Sequence, residues 1–416
     1  MSESAPDSPA GLVPGFGWVA GRGWRRVVWG VLAAEVAVVV VFAVVYRPFD
    51  LAIYLWGGRA VLHGLRLYGV QVRGNWFTYP PFAAALFTPL AVLPPVVAGI
   101  GWELGTVAAL AWSARMCLQL AGYQPPAAVT AAVTAAGVLL EPVYHTLYLG
   151  QVNVFLLALV LHDIRRTAAG RPAGAGIGLA TAVKLVPGLF IVFLLAIRRA
   201  RDAATAAAVV AACAAAGYLI NPAASTLYWT RLFWNTSRVS ATYISNQTPY
   251  AALARILGGT SHVGPWYLAI SALLAAAGLT TAARLARHRD WLAAATLTGI
   301  TSLLVSPISW THHWVWALPA LLLLTTRAHT PAARAVTAAA ALLFITAPMW
   351  YTPWAGDSGQ YGFHWADTLA ANSFLIAGLT YLTWTTIHTW HHPQPAGRHR
   401  EVLRNPPRAA RLSSQI

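Results

Sequence analysis

Apolar and polar positions in this chain alternate on the scale of whole helices rather than of single turns. Apolar runs recur from Val27 to Trp390, and many approach the ~20 residues that an α-helix needs to cross a bilayer. This pattern predicts an all-α, polytopic integral membrane protein with roughly 10–12 transmembrane helices. The clearest predicted spans are 27–46, 126–141, 150–164, 203–220, 264–285, 290–305, 314–326, 332–348 and 368–388.

Two further apolar stretches contain breaks, so the number of spans in each is ambiguous. Residues 81–118 hold either two spans, or a re-entrant segment ending near Pro95 followed by one span. Residues 172–198 carry Lys184 and Pro187 near their middle, and a proline interrupts a helix. We therefore expect the second stretch to form two short helices that meet at this break.

Composition supports a membrane protein and divides the chain into three parts. Apolar side chains make up 57% of the 416 residues and charged ones 10%, against about 25% charged residues in a typical soluble domain. The two cysteines, Cys117 and Cys213, suggest no disulfide framework, and nucleic acid is not an expected partner despite a pI near 10.5. We expect a disordered cytoplasmic N-terminus over 1–26, a transmembrane domain over 27–390 and a basic cytoplasmic tail over 391–416.

The excess of basic residues predicts how the chain is oriented. The 28 basic and 12 acidic residues give a net charge of +16, and basic residues of membrane proteins concentrate in cytoplasmic loops. With the N-terminal arginines placed inside, the other main arginine clusters also fall inside if 172–198 is a hairpin and 81–118 crosses the membrane once. This topology puts both termini in the cytoplasm and Lys184 at an outer tip.

In this topology the polar residues embedded in apolar sequence collect on the outer face. Polar groups are rare in membrane segments and commonly mark functional sites, so their convergence on one side of the bilayer indicates a one-sided active site on the extracytoplasmic face. These residues are Asp50, Tyr79, Gln151, Asn153, Lys184, Asn246, Gln247, Trp310, His312 and His313, with Arg59 and Arg255 at the outer ends of helices.

Asp50 and Lys184 carry the charges of this set. Asp50 directly follows the first span, where it could act as a general base, cap the amphipathic helix predicted over 51–67, or do both. Lys184 is the only lysine of the chain. A compact ammonium suits an anionic phosphate, although a lysine at this place could instead extend to the interface or pair with a glutamate.

The other polar residues have a structural as well as a functional interpretation. One imidazole of His312 and His313 could donate to a phosphate or to a sugar hydroxyl. Adjacent histidines point to different faces and no nearby carboxylate completes a metal site; an interfacial aromatic belt with Trp310 is the structural alternative. Gln151 and Asn153 could likewise cap a helix or bind sugar hydroxyls.

Six strings of the sequence, taken in order, resemble family 87 of the glycosyltransferases, actinobacterial enzymes of the GT-C superfamily. The resemblance runs from about residue 46 to 316, and the Gly-Gln-x-Asn and Ser-Trp-x-His-His strings are its most specific parts. Thr311 fills the variable position of the latter string, where relatives can carry an aspartate, and this leaves the base role with Asp50. The strings are Asp50 after the first span, Tyr79-Pro80-Pro81, Gly150-Gln151-Val152-Asn153, Lys184-Leu185-Val186-Pro187, Ser245-Asn246-Gln247, and 306–314.

The resemblance implies a GT-C-like, polyprenyl-phosphate-mannose-dependent α-1,2-mannosyltransferase that acts on phosphatidylinositol mannosides or lipomannan. Asp50 would take the proton of the acceptor hydroxyl during an inverting attack on the anomeric carbon. Lys184 and His312 or His313 would stabilise the departing polyprenyl phosphate, without a metal or other cofactor. The weaker candidates for phosphate contacts are Arg59 and Arg255, and the expected sugar and acceptor contacts are Tyr79, Gln151, Asn153, Asn246, Gln247 and Trp310.

Two other functions stay open on the sequence alone. Arabinofuranosyltransferases that use polyprenyl-phosphate-arabinose share the chemistry, and nothing in the sequence measures the shape of the sugar pocket. A lipid or sugar transporter is a different class, but transporters often repeat a broken helix in two halves, and the break at Lys184 has no evident counterpart. The expected partners are polyprenyl-phosphate-mannose, a glycolipid or lipoglycan acceptor and the lipid bilayer.

Overall fold

The computed structural model describes residues 13–353 and 361–391, and its regular structure is almost entirely helical. Two short strands, β1 (Gln71–Val72) and β2 (Asn75–Trp76), pair antiparallel. The helices are α1 (Arg22–Val45), α2 (Phe49–Leu62), α3 (Pro81–Leu86), α4 (Thr88–Ala91), α5 (Pro95–Leu120), α6 (Ala127–Val138), α7 (Glu141–Leu149), α8 (Asn153–Ala168), α9 (Ala175–Val183), α10 (Leu189–Ala196), α11 (Ala200–Ile220), α12 (Pro222–Leu227), α13 (Pro249–Leu257), α14 (Trp266–Arg287), α15 (Trp291–Val305), α16 (Ala317–Arg327), α17 (Pro331–Thr346), α18 (Trp365–Ala371) and α19 (Ser373–His391). Shorter turns include 3-10 helices at Gly17–Ala20, Val186–Gly188, Thr311–Trp316 and Pro348–Tyr351, and a π-helix at Tyr228–Leu232.

The predicted all-α, polytopic class is confirmed. Within the described residues, four helices are long and apolar enough to cross a membrane, namely α1, α5, α11 and α14. A fifth results if α6 and α7, which are bent by 76° at their junction, count as one broken span. This number is smaller than the 10–12 predicted helices, because most of the other apolar runs fold as helices of 8 to 16 residues.

The stretch 81–118 contains one long helix preceded by two short ones, in agreement with the single-span alternative. Pro81 opens α3, and a second proline lies in the first turn of α4. Pro95 is the first residue of α5, which then continues for 26 residues. Proline fits the first turn of a helix and ends a preceding one, so the spacing of prolines sets this division.

The stretch 172–198 is a hairpin with Lys184 at its tip. Lys184 has extended backbone angles (φ −147°, ψ 122°) and ends α9. The two arms meet again at the base, where the Arg199 guanidinium donates to the Arg171 carbonyl (2.8 Å) and to Asp202 (2.6 Å). The predicted break therefore separates two short antiparallel helices that both pack on α11.

Lys184 and the arginines of the hairpin base lie at opposite ends of the helix bundle. Helix α8 begins at Asn153, which accepts a hydrogen bond from Lys184 (2.9 Å). Its last turn carries Arg165 and Arg166, about 18 Å away at 1.5 Å per residue. At that far end Arg166 donates to the Pro172 carbonyl (2.6 Å) beside the hairpin base.

Helix α15 also runs between these two ends of the bundle. Asp290 caps its first turn and pairs with Arg327 (2.7 Å), whereas its last turn leads into the histidine-bearing segment 309–313. One end of the bundle therefore carries Lys184 and the histidine segment, and the other carries a group of arginines, namely Arg165, Arg166, Arg199 and Arg327.

The predicted terminal segments are described only in part. Residues 13–26, within the expected disordered N-terminus, contain the 3-10 helix Gly17–Ala20 and the first turn of α1, which begins at Arg22. Residues 1–12 and the basic tail, apart from His391, lie outside the described residues.

Candidate active site

Asp50 lies in the first turn of α2, at the polar end of the bundle. Helix α1 ends at Val45, and Pro48 precedes α2, so the chain turns sharply between the two helices. The Asp50 carboxylate is half-buried and accepts a hydrogen bond from the side-chain amide of Gln151. These two residues are 101 positions apart in the sequence, and both were predicted for the outer face.

Gln151 is held in one orientation by two tyrosines. A carboxylate can only accept hydrogen bonds, so the amide nitrogen must face Asp50 and the amide oxygen must face away. That oxygen accepts from the hydroxyls of Tyr54 (2.8 Å) and Tyr79 (3.1 Å). The two hydroxyls also bond each other at 2.8 Å. The predicted residue Tyr79 therefore acts on Asp50 through Gln151, together with Tyr54, which the sequence analysis missed.

Gly150 allows the Gln151 loop to approach α2 closely. It ends α7 in the left-handed conformation (φ 70°), which glycine adopts without steric cost. A Cβ at this position would lie 2.7 Å from the Pro48 Cβ and 2.8 Å from the Leu51 Cβ. A glycine is needed here both for the turn and for the contact that brings Gln151 to Asp50.

Lys184 lies between two other predicted site residues. Its Nζ donates to Asn153 Oδ1 (2.9 Å) and is 2.7 Å from His313 Nε2. It also lies 5.6 Å from the centroid of the Tyr79 ring, over its face. The structure thus supports neither pairing with a glutamate nor extension to the interface, because the amine is directed into the cluster.

His312 and His313 belong to the buried 3-10 helix Thr311–Trp316. A lysine ammonium has no acceptor, so His313 Nε2 accepts and its proton resides on Nδ1. The two rings meet edge to face with centroids 4.8 Å apart. His312 is 5% exposed, and among the described residues neither of its nitrogens has a hydrogen-bond partner. An unpartnered buried imidazole beside Lys184 is a group available to a ligand.

Asn246, Gln247 and Trp310 hold the histidine segment in place. Asn246 accepts from Ser309 N–H (2.9 Å) and donates to the Pro307 carbonyl (3.1 Å), and its backbone forms a bridge with Trp310. The Gln247 amide is fully used by backbone groups, including the Ala371 carbonyl (2.7 Å). A direct contact of these side chains with sugar stays a prediction, but their observed bonds are structural.

The two arginines predicted as weaker phosphate contacts are not part of the cluster. Arg255 is 2% exposed and donates to the Asn246 carbonyl (3.1 Å) and to Asn372 Oδ1 (2.6 Å), which fixes the loop before α13. Arg59 is exposed in the last turn of α2, about 14 Å along the helix from Asp50. Their assignment to phosphate binding therefore gains no support from the geometry.

The electrostatic environment of Asp50 combines burial with nearby basic side chains. Asp50 lies in α2, which is not one of the spanning helices. Burial raises the pKa of its carboxyl above the ordinary value, while the Gln151 hydrogen bond, Lys184 and His145 each lower that pKa. Lys184 and His145 are therefore both within electrostatic reach of the carboxylate.

His145 and Glu141 were missed as site residues by the sequence analysis. They are four residues apart on α7, and His145 Nδ1 lies 2.9 Å from Glu141 Oε1. A histidine four residues after a glutamate in an apolar helix is a recognisable pair, and this spacing was the available signal. Within the described residues, no three His, Cys, Asp or Glu side chains are grouped so as to hold a metal ion.

Comparison with known proteins connects this geometry to a family. The profile of Glycosyltransferase family 87 matches residues 77–307. No solved structure matches the chain significantly.

Named relatives share about a third of the sequence over most of its length. A polyprenol-phosphate-mannose-dependent alpha-(1-2)-phosphatidylinositol mannoside mannosyltransferase of Mycobacterium tuberculosis is 33% identical over 334 residues, covering 74% of this chain and 78% of the relative. An enzyme of the same name from Mycolicibacterium smegmatis is 32% identical over 425 residues, covering 92% and 91%. A pentamannoside mannosyltransferase of Mycobacterium tuberculosis is 32% identical, covering 80% of each chain. With a family match over more than half of its length and relatives of this similarity, the chain belongs to glycosyltransferase family 87.

Proposed function

We propose that this protein transfers mannose from polyprenol-phosphate-mannose to a phosphatidylinositol mannoside or related lipoglycan, forming an α-1,2 linkage. The names of its relatives support this donor and acceptor. The observation that carries the proposal is that a carboxylate, Asp50, held by Gln151, and a lysine amine, Lys184, lie on either side of Tyr79 at one end of a helical membrane protein. In an inverting sugar transfer from a phosphate, the carboxylate can act as the base and the amine can stabilise the departing phosphate.

In the proposed reaction, Asp50 acts as the general base. The acceptor oxygen attacks the anomeric carbon and its proton passes to the Asp50 carboxylate. The bond between that carbon and the phosphate oxygen breaks, and the polyprenyl phosphate leaves with the electron pair. Because attack and departure occur on opposite sides of the carbon, the configuration inverts.

Lys184 and the two histidines form the leaving-group side. The ammonium already points into the cluster, so its charge is in place when negative charge develops on the departing phosphate. His313 orients Lys184, and His312, whose two nitrogens have no partner among the described residues, can donate from its one N–H to a phosphate oxygen. In these roles, the side chains of Lys184 and the histidines stabilise the departing phosphate.

The site faces the extracytoplasmic side in this proposal. The polar cluster and the arginine-bearing helix ends lie at opposite ends of the bundle, and the positive-inside rule places the arginines in the cytoplasm. A lipid-linked donor then enters laterally from the bilayer, and both termini are cytoplasmic.

Mannose is favoured over arabinose because the named relatives described above are all mannosyltransferases. The same names also favour an enzyme over the transporter alternative. Neither alternative has a specific observation in its support.

The test is sugar transfer by purified protein in detergent. Radiolabelled polyprenyl-phosphate-mannose and polyprenyl-phosphate-arabinose are each supplied with a phosphatidylinositol mannoside acceptor. The variants are wild type, Asp50→Asn and, as a matched control, Asp367→Asn, which changes another acidic residue near a helix start, in α18.

We expect mannose transfer by wild type and by Asp367→Asn, and a loss of at least a thousandfold in kcat for Asp50→Asn. Full activity of a folded Asp50→Asn protein would remove Asp50 from the mechanism. Transfer from the arabinose donor alone would replace the proposed sugar, and transfer from neither donor would overturn the proposed function.

A further inference from the structure

A second polar cluster, built on α7, has no role in the mechanism above. One oxygen of Glu141 accepts two hydrogen bonds, from His145 Nδ1 and from the indole nitrogen of Trp350, both at 2.9 Å. Glu141 is completely buried, whereas the His145 side chain is 16% exposed and Trp350 is half-buried. The buried Glu141 carboxylate thus fixes the rings of His145 and Trp350, which are both more exposed than the carboxylate itself.

These bonds determine which nitrogen of His145 carries the proton. A carboxylate oxygen only accepts, so Nδ1 must donate to Glu141. Nδ1 also lies 3.0 Å from the Thr311 hydroxyl oxygen, and that threonine is itself held by a backbone bond to the Ser245 side chain (3.1 Å). In the neutral ring, Nε2 therefore presents a lone pair, and within the described part of the chain it has no hydrogen-bond partner.

His145 and Trp350 form a corner with one polar and one apolar wall. Their ring planes are inclined by 76° with centroids 5.4 Å apart. Tyr243 extends the apolar wall, 6.2 Å from Trp350, and in turn meets Trp310 at 5.9 Å. Such a corner suits a molecule that has hydroxyl donors at its edge and an apolar C–H face, which is the chemistry of a pyranose ring.

The corner is connected to the base through α7. Helix α7 ends at Gly150, directly against the first turn of α2, and His145 is close enough to lower the pKa of Asp50. On its other side the His145 ring meets His312 at 5.4 Å. His312 thus separates His145 from His313, the partner of Lys184. A sugar in the corner would be within electrostatic reach of the proton acceptor, with His312 between it and the His313–Lys184 pair.

We propose that His145 and Trp350, positioned by Glu141, bind a pyranose ring of the acceptor and so present its reacting hydroxyl to Asp50. The indole stacks on the C–H face of the ring, and His145 Nε2 accepts a hydrogen bond from a ring hydroxyl. This inference rests on the proposed function, since it assigns a subsite for the acceptor of that reaction.

The test separates acceptor binding from donor binding. Initial rates are measured with polyprenyl-phosphate-mannose and a phosphatidylinositol mannoside, varying each in turn, for wild type, His145→Ala, Trp350→Ala and Trp350→Phe. We expect the two alanine variants to raise the acceptor KM at least tenfold and to change the donor KM less than twofold. Trp350→Phe keeps an aromatic face and should recover most of the loss.

Glu141→Gln tests the positioning role, because glutamine keeps the size of the side chain and removes its charge. We expect a three- to tenfold rise in acceptor KM. Glu103→Gln is the matched control: Glu103 is another completely buried glutamate, in α5, and within the described residues its oxygens have no partner. This control should leave both KM values unchanged, and thermal unfolding verifies that each variant is folded.

Direct binding keeps this inference independent of turnover. Binding of the phosphatidylinositol mannoside, and its competition by methyl α-mannoside, is measured for wild type and Trp350→Ala in detergent. Weaker binding to the variant supports the subsite even if the donor proves to be another polyprenyl-phosphate sugar. Equal acceptor binding, or a donor KM that rises as much as the acceptor KM, would overturn it, whereas no transfer by wild type would refute only the proposed function.

Discussion

The hydrogen bond between Gln151 and Asp50 allows a sharp test of the proposed base. Gln151→Leu keeps a side chain of similar volume and removes the amide that holds the carboxylate. The hydroxyls of Tyr54 and Tyr79, which lose their shared acceptor, still bond each other at 2.8 Å. The change therefore acts mainly on Asp50 and less on the packing around it.

The expected size of the effect follows from the type of bond. A hydrogen bond to a charged group contributes about 1.5–3 kcal/mol, and every 1.4 kcal/mol corresponds to about tenfold in rate. Loss of this bond should therefore lower kcat/KM by roughly 10–150-fold at neutral pH. Part of that loss is a change in geometry and part is a change in protonation.

The direction of the change in the pKa of Asp50 can be predicted. A general base must be deprotonated, so activity falls as the pH drops through the pKa of Asp50. The Gln151 hydrogen bond lowers that pKa against the effect of burial, so its removal raises the pKa. The acid limb of the pH–rate profile should then move to higher pH in Gln151→Leu, with partial recovery of activity in alkaline buffer.

The assay is kcat/KM for mannose transfer as a function of pH. Gln119→Leu serves as the control, because Gln119 is in the last turn of α5 and contacts Arg165 at the arginine-bearing end of the bundle. An acid limb that stays at the wild-type pH in folded Gln151→Leu would refute the assignment of Asp50 as the base held by Gln151.

Substitutions at three further residues distinguish the reaction chemistry from the support of the fold. Lys184→Met and Lys184→Arg should both raise the donor KM at least tenfold in a donor titration, since the wider guanidinium does not fit the amine's place between Asn153 and His313; full activity with arginine would contradict this. Gly150→Ala should destabilise the fold by about 1–2 kcal/mol because of its positive φ, seen as a lower unfolding temperature, and an unchanged temperature would contradict the required turn. Arg255→Met should reduce the yield of folded protein while the folded fraction keeps the wild-type donor KM, and a raised donor KM would return Arg255 to the phosphate site.

The sequence was sufficient to predict the class of fold and the end of the bundle where the site lies. Asp50, Gln151 and Lys184 are polar residues in apolar surroundings, and such residues are costly enough to mark a site. Their direct contacts were not predictable, because these depend on how the end of α7 packs on α2 and on how the hairpin closes.

The amide side chains show why polar residues in apolar sequence are ambiguous. Asn246 and Gln247 were predicted as sugar contacts. In the structure, their side chains form hydrogen bonds with backbone groups of neighbouring segments. Buried backbone groups need partners as much as a ligand does, so both uses place the same residue types in the same kind of sequence. Only coordinates separate the two.

His145 was overlooked for a different reason. Its partners Thr311 and Trp350 are 166 and 205 positions away, and each has an ordinary structural interpretation in the sequence alone. Only the Glu141 spacing was local. Inspection of the sequence one segment at a time cannot reveal a cluster whose members come from three distant segments.

The position of Lys184 has a practical consequence for studying occupancy. It is the only side-chain amine in the chain, and it is located between Asn153 and His313 at the hairpin tip. An amine-selective reagent therefore has one internal target, and the extent of its modification reports on a single location. A bound phosphate ester would shield that amine, so mass spectrometry of the modified protein could follow donor binding without a radiolabelled donor or an engineered cysteine.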